Sequence, residues 1–418
     1  MNKRILSVVM ASAMLASCTQ EAEIDSIVNE GVENSTENVY TRSFAEVDNS
    51  IVLDGTPSEN LKAIFEATGP DVIRTLGTIK ITDEQYEEIK VFTDDLLKNF
   101  KTETSKYWAI FQWVSTNIKY NDYSHPDYYG MGNDPYEVYV NRVAVCQGYS
   151  NLLTVMCHTQ GIPAVVVNGY YFSGYDYGHA WAYVCPDNTW MVSDPTNNGS
   201  WEMKDTRSYT HLKPMQADAD LFVNEKGVFN YFDYTINVKE VIATDNSFTV
   251  PYSVGGFVIN SFNPSVELPI EITEICLGQN ITTLGESYNL GLLEKGKYLQ
   301  AIYVDEKNAV LMDNKGIVYK KNGGDPQLYH IPGGMRYVEM LPMKVIEKNT
   351  IYNHRYVEEI YFPEGTQRIE NSAIENCPKL RRVYVPVDAA ISRDAICDCP
   401  NPVEVIRGTP SGITHITM

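Results

Sequence analysis

Long hydrophobic runs are absent from this sequence of 418 residues. A transmembrane helix needs about 20 consecutive apolar residues, and the short apolar segment from Ile5 to Leu15 does not reach that length. A permanent membrane-spanning helix is therefore excluded. The hydrophobic share of 44% and the charged share of 21% are typical of chains that fold into globular domains. The length predicts about two or three such domains.

Basic residues are also scarce. The sequence has 33 lysines and arginines against 54 aspartates and glutamates, which gives a formal net charge of -21. A nucleic-acid surface requires clustered Lys and Arg, so we expect no nucleic-acid partner. The sequence also lacks the Cys and His spacing of zinc sites, a glycine-rich phosphate loop and a dinucleotide fingerprint. Neither a metal ion nor a nucleotide cofactor is predicted from these patterns.

The N-terminus has the pattern of a bacterial lipoprotein signal. Lys3 and Arg4 form a basic segment, an apolar stretch follows, and small residues precede Cys18 in the sequence Leu-Ala-Ser-Cys. This arrangement resembles signals whose residues 1–17 are removed and whose cysteine becomes the lipidated first residue. An ordinary secretory signal with an incidental cysteine is the alternative.

The residues that follow Cys18 predict how the protein is displayed. The acidic stretch from Glu21 to Asp25 resembles the surface-export signal of lipoproteins from the Bacteroides group. Residues 18–60 are rich in Glu, Asn, Ser and Thr without sustained periodicity, which predicts a flexible tether. We expect a protein that is lipid-anchored to the bacterial outer membrane and exposed at the cell surface, with the periplasmic face as the alternative.

Cysteine is sparse, and its number is odd once Cys18 is set aside. Because eight cysteines are present in all, at least one of the others must be an unpaired thiol. Cys157 is expected in the core of a helix, with Cys185 as a candidate disulfide partner. Cys397 and Cys399 resemble core positions of a repeat rather than a redox pair. A catalytic thiol elsewhere would account for the odd number.

Helical patterns precede strand patterns in residues 61–200, which predicts an α+β domain. Thr82 to Gln85 has the spacing of a capping box before one helix. A later helix is predicted to begin near Cys146 and to end at Gly161. Residues 201–258 are β-rich and are predicted to form a connector. The strands of the α+β domain are predicted at 164–168, 180–185 and 190–193, with a turn at 187–189.

The C-terminal region, residues 259–418, contains an internal repeat. Ala373–Pro378 recurs 22 residues later, and Ile360–Pro363 recurs 23 residues later. Periods of this length with short apolar strands predict a solenoid in which each coil contributes one strand. The pattern resembles the BspA-like leucine-rich repeats, and residues 299–319 resemble the longer, insert-bearing repeat of that family. The resemblance implies a module for adhesion or binding.

Three residue clusters carry the chemical signal. Cys146 lies at the predicted helix start, His179 at the head of a strand, and Asp194 at the end of the next strand. Backbone N–H groups at a helix N-terminus and a nearby imidazolium lower the pKa of a thiol and create a nucleophilic thiolate. His179 would exchange a proton with Cys146, and Asp194 would orient the imidazole. Adjacent antiparallel strands joined by a short turn would place these two side chains together.

The order of these motifs resembles the transglutaminase core superfamily over about residues 80–200. The resemblance implies a papain-like cysteine domain with Cys146 as nucleophile, His179 as base and Asp194 as orienting carboxylate. The backbone N–H of Cys146 is a natural oxyanion donor, and Tyr136 is the candidate second donor. Calcium stays open as a cofactor, because some members of the superfamily require it. The matching segments are Val-Cys-Gln-Gly-Tyr at 145–149, Gly-Ile-Pro-Ala at 161–164, Gly-His-Ala-Trp at 178–181 and Trp-Met-Val-Ser-Asp-Pro-Thr at 190–196.

Each member of the expected triad has an ordinary structural alternative. Cys146 would serve equally as a buried thiol or a disulfide partner, and His179 as a strand histidine with satisfied hydrogen bonds. Asp194 precedes Pro195, and such a pair often begins a turn. Any one of these alternatives is common, but the three clusters together, in the order of the family, favour the catalytic interpretation.

Two functions are compatible with such a surface protein. The first is a thiol enzyme that attacks an amide carbonyl and forms an acyl-enzyme. Water resolves that intermediate in a peptidase or amidase, and a lysine amine resolves it in a cross-linking transferase. The repeats would then bind the protein or peptide substrate, such as a host or cell-wall polymer. The second function is a non-catalytic adhesin or structural surface protein on a transglutaminase-like fold.

Overall fold

The computed structural model describes residues 44–121, 132–172, 176–203, 211–242, 245–263, 268–284, 298–323, 326–400 and 402–408. Residues 44–407 form one compact unit. The predicted signal peptide, Cys18 and most of the predicted tether lie outside the described residues. Within the described ranges, no helix combines the length and the apolar character that crossing a membrane requires.

Helices dominate the N-terminal part of the described chain. The predicted capping box is confirmed: the Thr82 hydroxyl accepts from the N–H of Gln85, and the Gln85 side chain accepts from the N–H of Thr82. The predicted helix that begins at Cys146 is also confirmed, and Gly161 follows it with a left-handed φ of 72°. The helices are α1 (Pro57–Thr68), α2 (Asp83–Leu97), α3 (Glu103–Asn117), α4 (Pro135–Asn141) and α5 (Cys146–Thr159).

The end of the predicted tether is ordered. Ile51 pairs with Phe257 in a parallel bridge, and α1 already begins at Pro57. The prediction that residues up to 60 are flexible is therefore wrong for this stretch. Backbone hydrogen bonds at Ile51 and the buried side chain of Leu61 hold this stretch in the folded unit.

An antiparallel sheet lies against the helices. Its strand order is β10-β9-β7-β3-β4-β5-β6, with β8 paired to β9, and α5 packs across β3 and β4. A short parallel pair, β1 (Lys119–Tyr120) and β2 (Val143–Ala144), leads into α5. The strands of the large sheet are β3 (Ala164–Phe172), β4 (Asp176–Val184), β5 (Met191–Asp194), β6 (Gly199–Glu202), β7 (Leu212–Ala217), β8 (Phe222–Val223), β9 (Gly227–Phe232) and β10 (Thr235–Val241).

The predicted boundary near residue 200 is wrong. Residues 201–258 contain strands as expected, but β7, β9 and β10 extend the sheet that β3, β4 and β5 begin. β7 pairs directly with β3, from Val167↔Ala217 to Tyr171↔Leu212. Without β7, the backbone N–H and C=O groups of β3 would lack partners on that side. The segment completes the α+β domain instead of linking it to the next one.

The sheet separates two hydrophobic cores. Ala164 and Val184 face the helices, in a core with Ile110 and Leu152. Val167, Trp181 and Tyr183 face the opposite side, as the two-residue period of a strand requires. That second core continues through Phe262 and Ile302 to Val318, so the sheet and the first part of the C-terminal region bury their apolar residues together.

A β-solenoid follows the sheet. Parallel pairs connect residues 22 or 23 apart, such as Ile374↔Ile396 and Ile360↔Val383, which confirms the predicted period. The prediction of one strand per coil is wrong: successive coils pair along three sides, because each coil bends between short straight segments. The three parallel sheets contain β21 (Tyr337–Glu339), β24 (Glu359–Tyr361), β27 (Arg382–Val385) and β30 (Glu404–Arg407); β22 (Val345–Ile346), β25 (Arg368–Ile369) and β28 (Ala390–Ile391); and β23 (Ile351–Tyr352), β26 (Ile374–Glu375) and β29 (Ile396–Cys397).

The earlier coils are less regular. An antiparallel meander interrupts them, with a tight turn at Lys315 and Gly316, both at positive φ. It falls within the segment that resembles an insert-bearing repeat. The strands here are β11 (Ser247–Thr249), β12 (Ser253–Val254), β13 (Phe257–Val258), β14 (Ser261–Phe262), β15 (Glu274–Leu277), β16 (Thr283–Leu284), β17 (Ala301–Val304) and the meander β18 (Leu311–Asn314), β19 (Ile317–Lys320) and β20 (Gln327–His330).

Candidate active site

Cys146 is the first residue of α5. The preceding residue, Val145, is extended and makes no side-chain capping hydrogen bond, so the first turn of the helix is uncapped. Among the described residues, no backbone acceptor engages the N–H of Cys146. The thiol therefore lies at the positive end of the helix dipole, beside free N–H donors.

A close approach between two glycines fixes this helix start. A Cβ at Gly148 would lie 1.8 Å from the carbonyl oxygen of Gly132. The same oxygen accepts a hydrogen bond from the N–H of Val145 at 3.1 Å. Only glycine fits at position 148, and the contact holds the residue immediately before Cys146.

Adjacent strands bring His179 and Asp194 together. β4 and β5 pair in a register that joins Ala182 to Ser193, which places Asp194 beside the middle of β4, near His179. The prediction that His179 lies at the head of a strand is wrong, because β4 begins three residues earlier at Asp176. His179 Nε2 lies 2.9 Å from Asp194 Oδ2. The side chains are 9% and 2% exposed, respectively, so the contact is shielded from water.

A hydroxyl cluster supports the end of β5. The phenol of Tyr107, on α3, is hydrogen-bonded to the hydroxyls of Ser193 and Ser200. These two serines are cross-strand partners of β5 and β6. The cluster therefore ties the strand that carries Asp194 to the helical layer.

The imidazole contacts the thiol as well as the carboxylate. Because Nε2 faces Asp194, the other ring nitrogen, Nδ1, is the one available to Cys146. The His179 side chain and the backbone N–H groups of Ala180 and Gln147 lie close enough to the thiol to lower its pKa. The structure thus brings Cys146, His179 and Asp194 into one connected array.

The charge state of this array follows from its contacts. Burial raises the pKa of the Cys146 thiol, but the hydrogen bond and charge of His179 and the N–H groups of Ala180 and Gln147 outweigh burial and hold that pKa below its usual range. Burial lowers the pKa of His179, but the hydrogen bonds to Asp194 and Cys146 raise it to about 9. The low thiol pKa and the high imidazole pKa both favour a thiolate–imidazolium pair over the neutral thiol and imidazole.

Sequence reasoning missed several residues around the array. Asn197 donates from Nδ2 to Asp194 Oδ2 at 2.8 Å and from its backbone N–H to Oδ1 at 3.3 Å. The ring of His179 lies between those of Tyr171, at a centroid distance of 5.8 Å, and Trp181, at 6.0 Å. Trp181 lies two residues after His179 and Asn197 three after Asp194, so their proximity in sequence was the available signal.

Tyr136 does not join the array through its hydroxyl. That hydroxyl donates to Glu88 Oε2, on α2, at 2.8 Å. The donor that the oxyanion prediction requires is therefore engaged elsewhere. The N–H of Cys146 keeps the predicted position of an oxyanion donor at the helix start.

The remaining thiols of this domain lie in the core. Cys157 and Cys185 are both buried free thiols, so the candidate disulfide between them is not formed. Burial raises the pKa of Cys157, and it raises that of Cys185 to about 11. Among the described residues, no group of three His, Cys, Asp or Glu side chains is placed to hold a metal ion.

Part of the chain is similar to known proteins. Residues 90–195 match the model of the Transglutaminase-like superfamily. Kyphoscoliosis peptidase from Mus musculus is 26% identical over 128 residues, which are 28% of this chain and 19% of that protein. The chain thus spans about a fifth of the length of this curated relative.

Solved structures are similar to parts of the chain at low identity. The periplasmic domain of TgpA from Pseudomonas aeruginosa is 19% identical with a TM-score of 0.25, covering 29% of this chain and 46% of that one. A leucine rich cell surface protein from Faecalibacterium prausnitzii is 14% identical with a TM-score of 0.21, covering 37% and 59%. By its family match and its architecture, the chain contains a transglutaminase-like domain, which a β-solenoid follows.

Proposed function

We propose that this chain is a thiol enzyme that attacks amide carbonyls through Cys146. The observation that carries the proposal is the connected array of thiol, imidazole and carboxylate at the start of α5. A buried carboxylate that raises the pKa of a histidine to about 9, beside a thiol whose pKa is held low, is the arrangement that thiolate catalysis requires.

Each residue has a defined task in the reaction. The Cys146 thiolate attacks the carbonyl carbon, and the N–H of Cys146 donates to the oxyanion that forms. The imidazolium of His179 then protonates the leaving amine, so the C–N bond breaks and a thioester remains. Asp194 holds the ring in the required tautomer and orientation. Water or a second amine then attacks the thioester while His179 takes its proton, and the C–S bond breaks to return the Cys146 thiolate.

The setting of the enzyme is part of the proposal. The predicted lipidation of Cys18 would anchor the protein to the outer membrane, facing outward. A BspA-like leucine-rich character of the solenoid would suit the binding of a protein or cell-wall polymer close to Cys146. Such binding raises the effective concentration of a polymeric substrate at the thiol.

The first test is the reactivity of Cys146. Protein lacking residues 1–18 is treated with iodoacetamide at pH 6.5, and the adduct is located by peptide mass spectrometry. We expect Cys146 to react faster than the buried Cys157 and Cys185, and His179→Ala to slow it at least about tenfold, because the loss of the imidazolium raises the thiol pKa. His211→Ala is the matched control, since His211 is exposed and bonds the carbonyl of Phe172.

Peptide mapping is needed because a second thiol is also activated. The hydrogen bond from Cys377 lowers the pKa of Cys399 to about 7, so we expect an adduct there that His179→Ala does not affect. Slow labelling of Cys146 that is equal in wild type and His179→Ala would contradict the enzyme proposal.

A non-catalytic binding protein is the second candidate, and one feature of the solenoid favours it. Tyr361 and Tyr384, on adjacent coils, stack with ring centroids 4.3 Å apart and an interplanar angle of 4°. They lie on the outward side of the β21-β24-β27-β30 sheet, near the exposed Tyr337. Aromatic residues are enriched at binding surfaces. An unreactive Cys146 would leave this surface as the functional one.

A further inference from the structure

A polar cleft lies next to the candidate nucleophile. Its volume is about 340 Å³, and it includes Gln147, the residue immediately after Cys146. The cleft runs from the first turns of α5 across β3 to β7. It is lined by Thr78, Ile79, Lys80, Asn133, Asp134, Pro135, Gln147, Asn151, Asn168, Gln216 and Asp218.

Most polar groups of the cleft are already engaged. Asp134 accepts from the N–H groups of the first turn of α4, and Asp218 accepts from the N–H and hydroxyl of Thr78 at 2.7 Å each. Gln147 donates to Asn151, which donates in turn to the carbonyl of Asn133. These groups form a fixed wall around the cleft.

Two carboxamides and the exposed ammonium of Lys80 have no such partner among the described residues. Asn168 on β3 and Gln216 on β7 are half-buried cross-strand partners. Among the described residues, neither side chain has a hydrogen-bond partner, although both line the cleft. Both carboxamides are half-buried and open onto the cleft, so their donors and acceptors are available to a ligand there.

A β-bulge places this pair. The register of β3 against β7 shifts between Asn168↔Gln216 and Gly169↔Pro214, so Met215 is the extra residue. Bulges redirect side chains and are common beside active sites. Asn168 also pairs with Ala180, whose N–H bonds the Cys146 thiol. The bulge, the two carboxamides and the nucleophile therefore share one end of the sheet.

We infer that Asn168 and Gln216 bind the backbone of a peptide substrate beside the amide that Cys146 attacks. The inference rests on the proposed function and adds its substrate class. Each carboxamide offers one acceptor and two donor hydrogens, which match the C=O and N–H of a peptide unit. None of the described lining residues is aromatic, so the cleft offers no ring face to a sugar. The carboxylates that would select a cation are occupied.

The test compares two epoxide reagents. One is an epoxysuccinamide without substituents, and the other carries a blocked Ala-Ala dipeptide on each side of the epoxide. In both, the Cys146 thiolate forms a C–S bond at one ring carbon, the C–O bond to that carbon breaks, and His179 protonates the alkoxide that forms on the other carbon. The ratio of their inactivation rate constants, kinact/KI, measures how much the peptide portion adds to inactivation. Because the second reagent has a dipeptide on both sides of the epoxide, one of them reaches the cleft in either orientation.

We expect Asn168→Leu and Gln216→Leu each to lower this ratio about tenfold, through KI, because a peptide polar group then lacks its partner. Taking the ratio removes any change that a variant makes in the reactivity of Cys146 toward the epoxide itself. Asn230→Leu is the matched control, since Asn230 is a half-buried asparagine on β9 of the same sheet. Asn168→Asp and Gln216→Glu, which preserve side-chain shape, repeat the test if a leucine variant does not fold.

The outcomes separate the two proposals. Rapid reaction with the plain epoxide, but no advantage for the peptide reagent, would overturn the peptide cleft and leave the thiol enzyme standing. The cleft proposal also fails if chitotriose, and not a blocked peptide, protects Cys146. Slow reaction with both reagents, unchanged by His179→Ala, would overturn the enzyme proposal and the cleft with it.

Discussion

At the residue scale, the carboxylate of Asp194 sets the upper pH limit of the proposed activity. His179 must hold a proton to protonate the leaving amine. Its pKa of about 9 depends on the hydrogen bond and charge of Asp194, which oppose the effect of burial. A raised histidine pKa keeps the proton on the ring up to that pH. Activity should therefore fall as pH rises through about 9.

Asp194→Asn tests this dependence. The variant keeps the shape of the side chain but loses its charge, so the alkaline limb of the pH–rate profile should move to lower pH. The rate at neutral pH should drop on the order of 10²-fold or more. Measuring Cys146-dependent amide turnover from pH 5 to 10 gives both values. Asp220→Asn, in an exposed pair with Lys239, is the control. An unmoved alkaline limb would contradict the role of Asp194.

The array of Cys146, His179 and Asp194 could be predicted from the sequence because each member lies in a local motif. Cys146 begins a helix, and His179 and Asp194 lie on strands joined by a short turn, so local patterns determine their proximity. The contact between Tyr136 and Glu88 depends on how α4 packs against α2. No local pattern reports such packing, and the oxyanion prediction failed there.

At the scale of elements, the start of α5 depends on the contact between Gly148 and Gly132. Gly148→Ala would force a Cβ to within 1.8 Å of the Gly132 carbonyl oxygen. We expect the free energy of unfolding to fall by about 1–3 kcal/mol, as overpacking generally costs, and Cys146 labelling to slow because Val145 shifts. Chemical denaturation and iodoacetamide labelling measure the two effects.

Gly178 supplies the matched comparison. It lies directly before His179, yet a Cβ there would meet nothing within 4 Å. Gly178→Ala should therefore leave stability and labelling within experimental error of wild type. If both alanine variants behaved alike, the close approach at Gly148 would not be what fixes the helix start.

Pairings between elements were only partly predictable. The repeat period reports the parallel register of the solenoid, because equal spacing puts equivalent residues side by side on successive coils. The positions at which each coil bends have no such signature in the sequence. The three sides of each coil were therefore not predicted. The pairing of β7 with β3 joins residues 41 to 50 positions apart in sequence, such as Asn168 and Gln216. Periodicity within a strand carries no information about its partner.

At the scale of the whole molecule, the two halves of the chain are not independent modules. The core on one side of the sheet includes Trp181 and Tyr183 together with Phe262, Ile275 and Ile302 of the region that was expected to be a separate repeat domain. Separate folding would require each half to bury its apolar face alone. A second core, which includes Val338 and Ile374, belongs to the later coils.

The shared core predicts how truncations behave. Removal of residues 260–418 deletes Phe262, Ile275 and Ile302, each worth about 1.5–3 kcal/mol when buried. Their combined loss is comparable with the entire stability of an ordinary domain, about 5–15 kcal/mol. We expect this variant to lose cooperative thermal unfolding and the rapid labelling of Cys146. Circular dichroism and iodoacetamide labelling report the two properties.

Removal of residues 337–418 provides the contrast, because the core beside the sheet ends at Val318. This variant should keep Cys146 labelling within about twofold of the full chain, although it loses the tyrosine stack of Tyr361 and Tyr384. If the solenoid binds a polymeric substrate, the variant without residues 337–418 should also lose turnover of that polymer while it retains turnover of small amides. The contrary outcome concerns the larger truncation. If the variant without residues 260–418 melted and labelled like the full chain, the catalytic half would fold alone and the shared core would be dispensable.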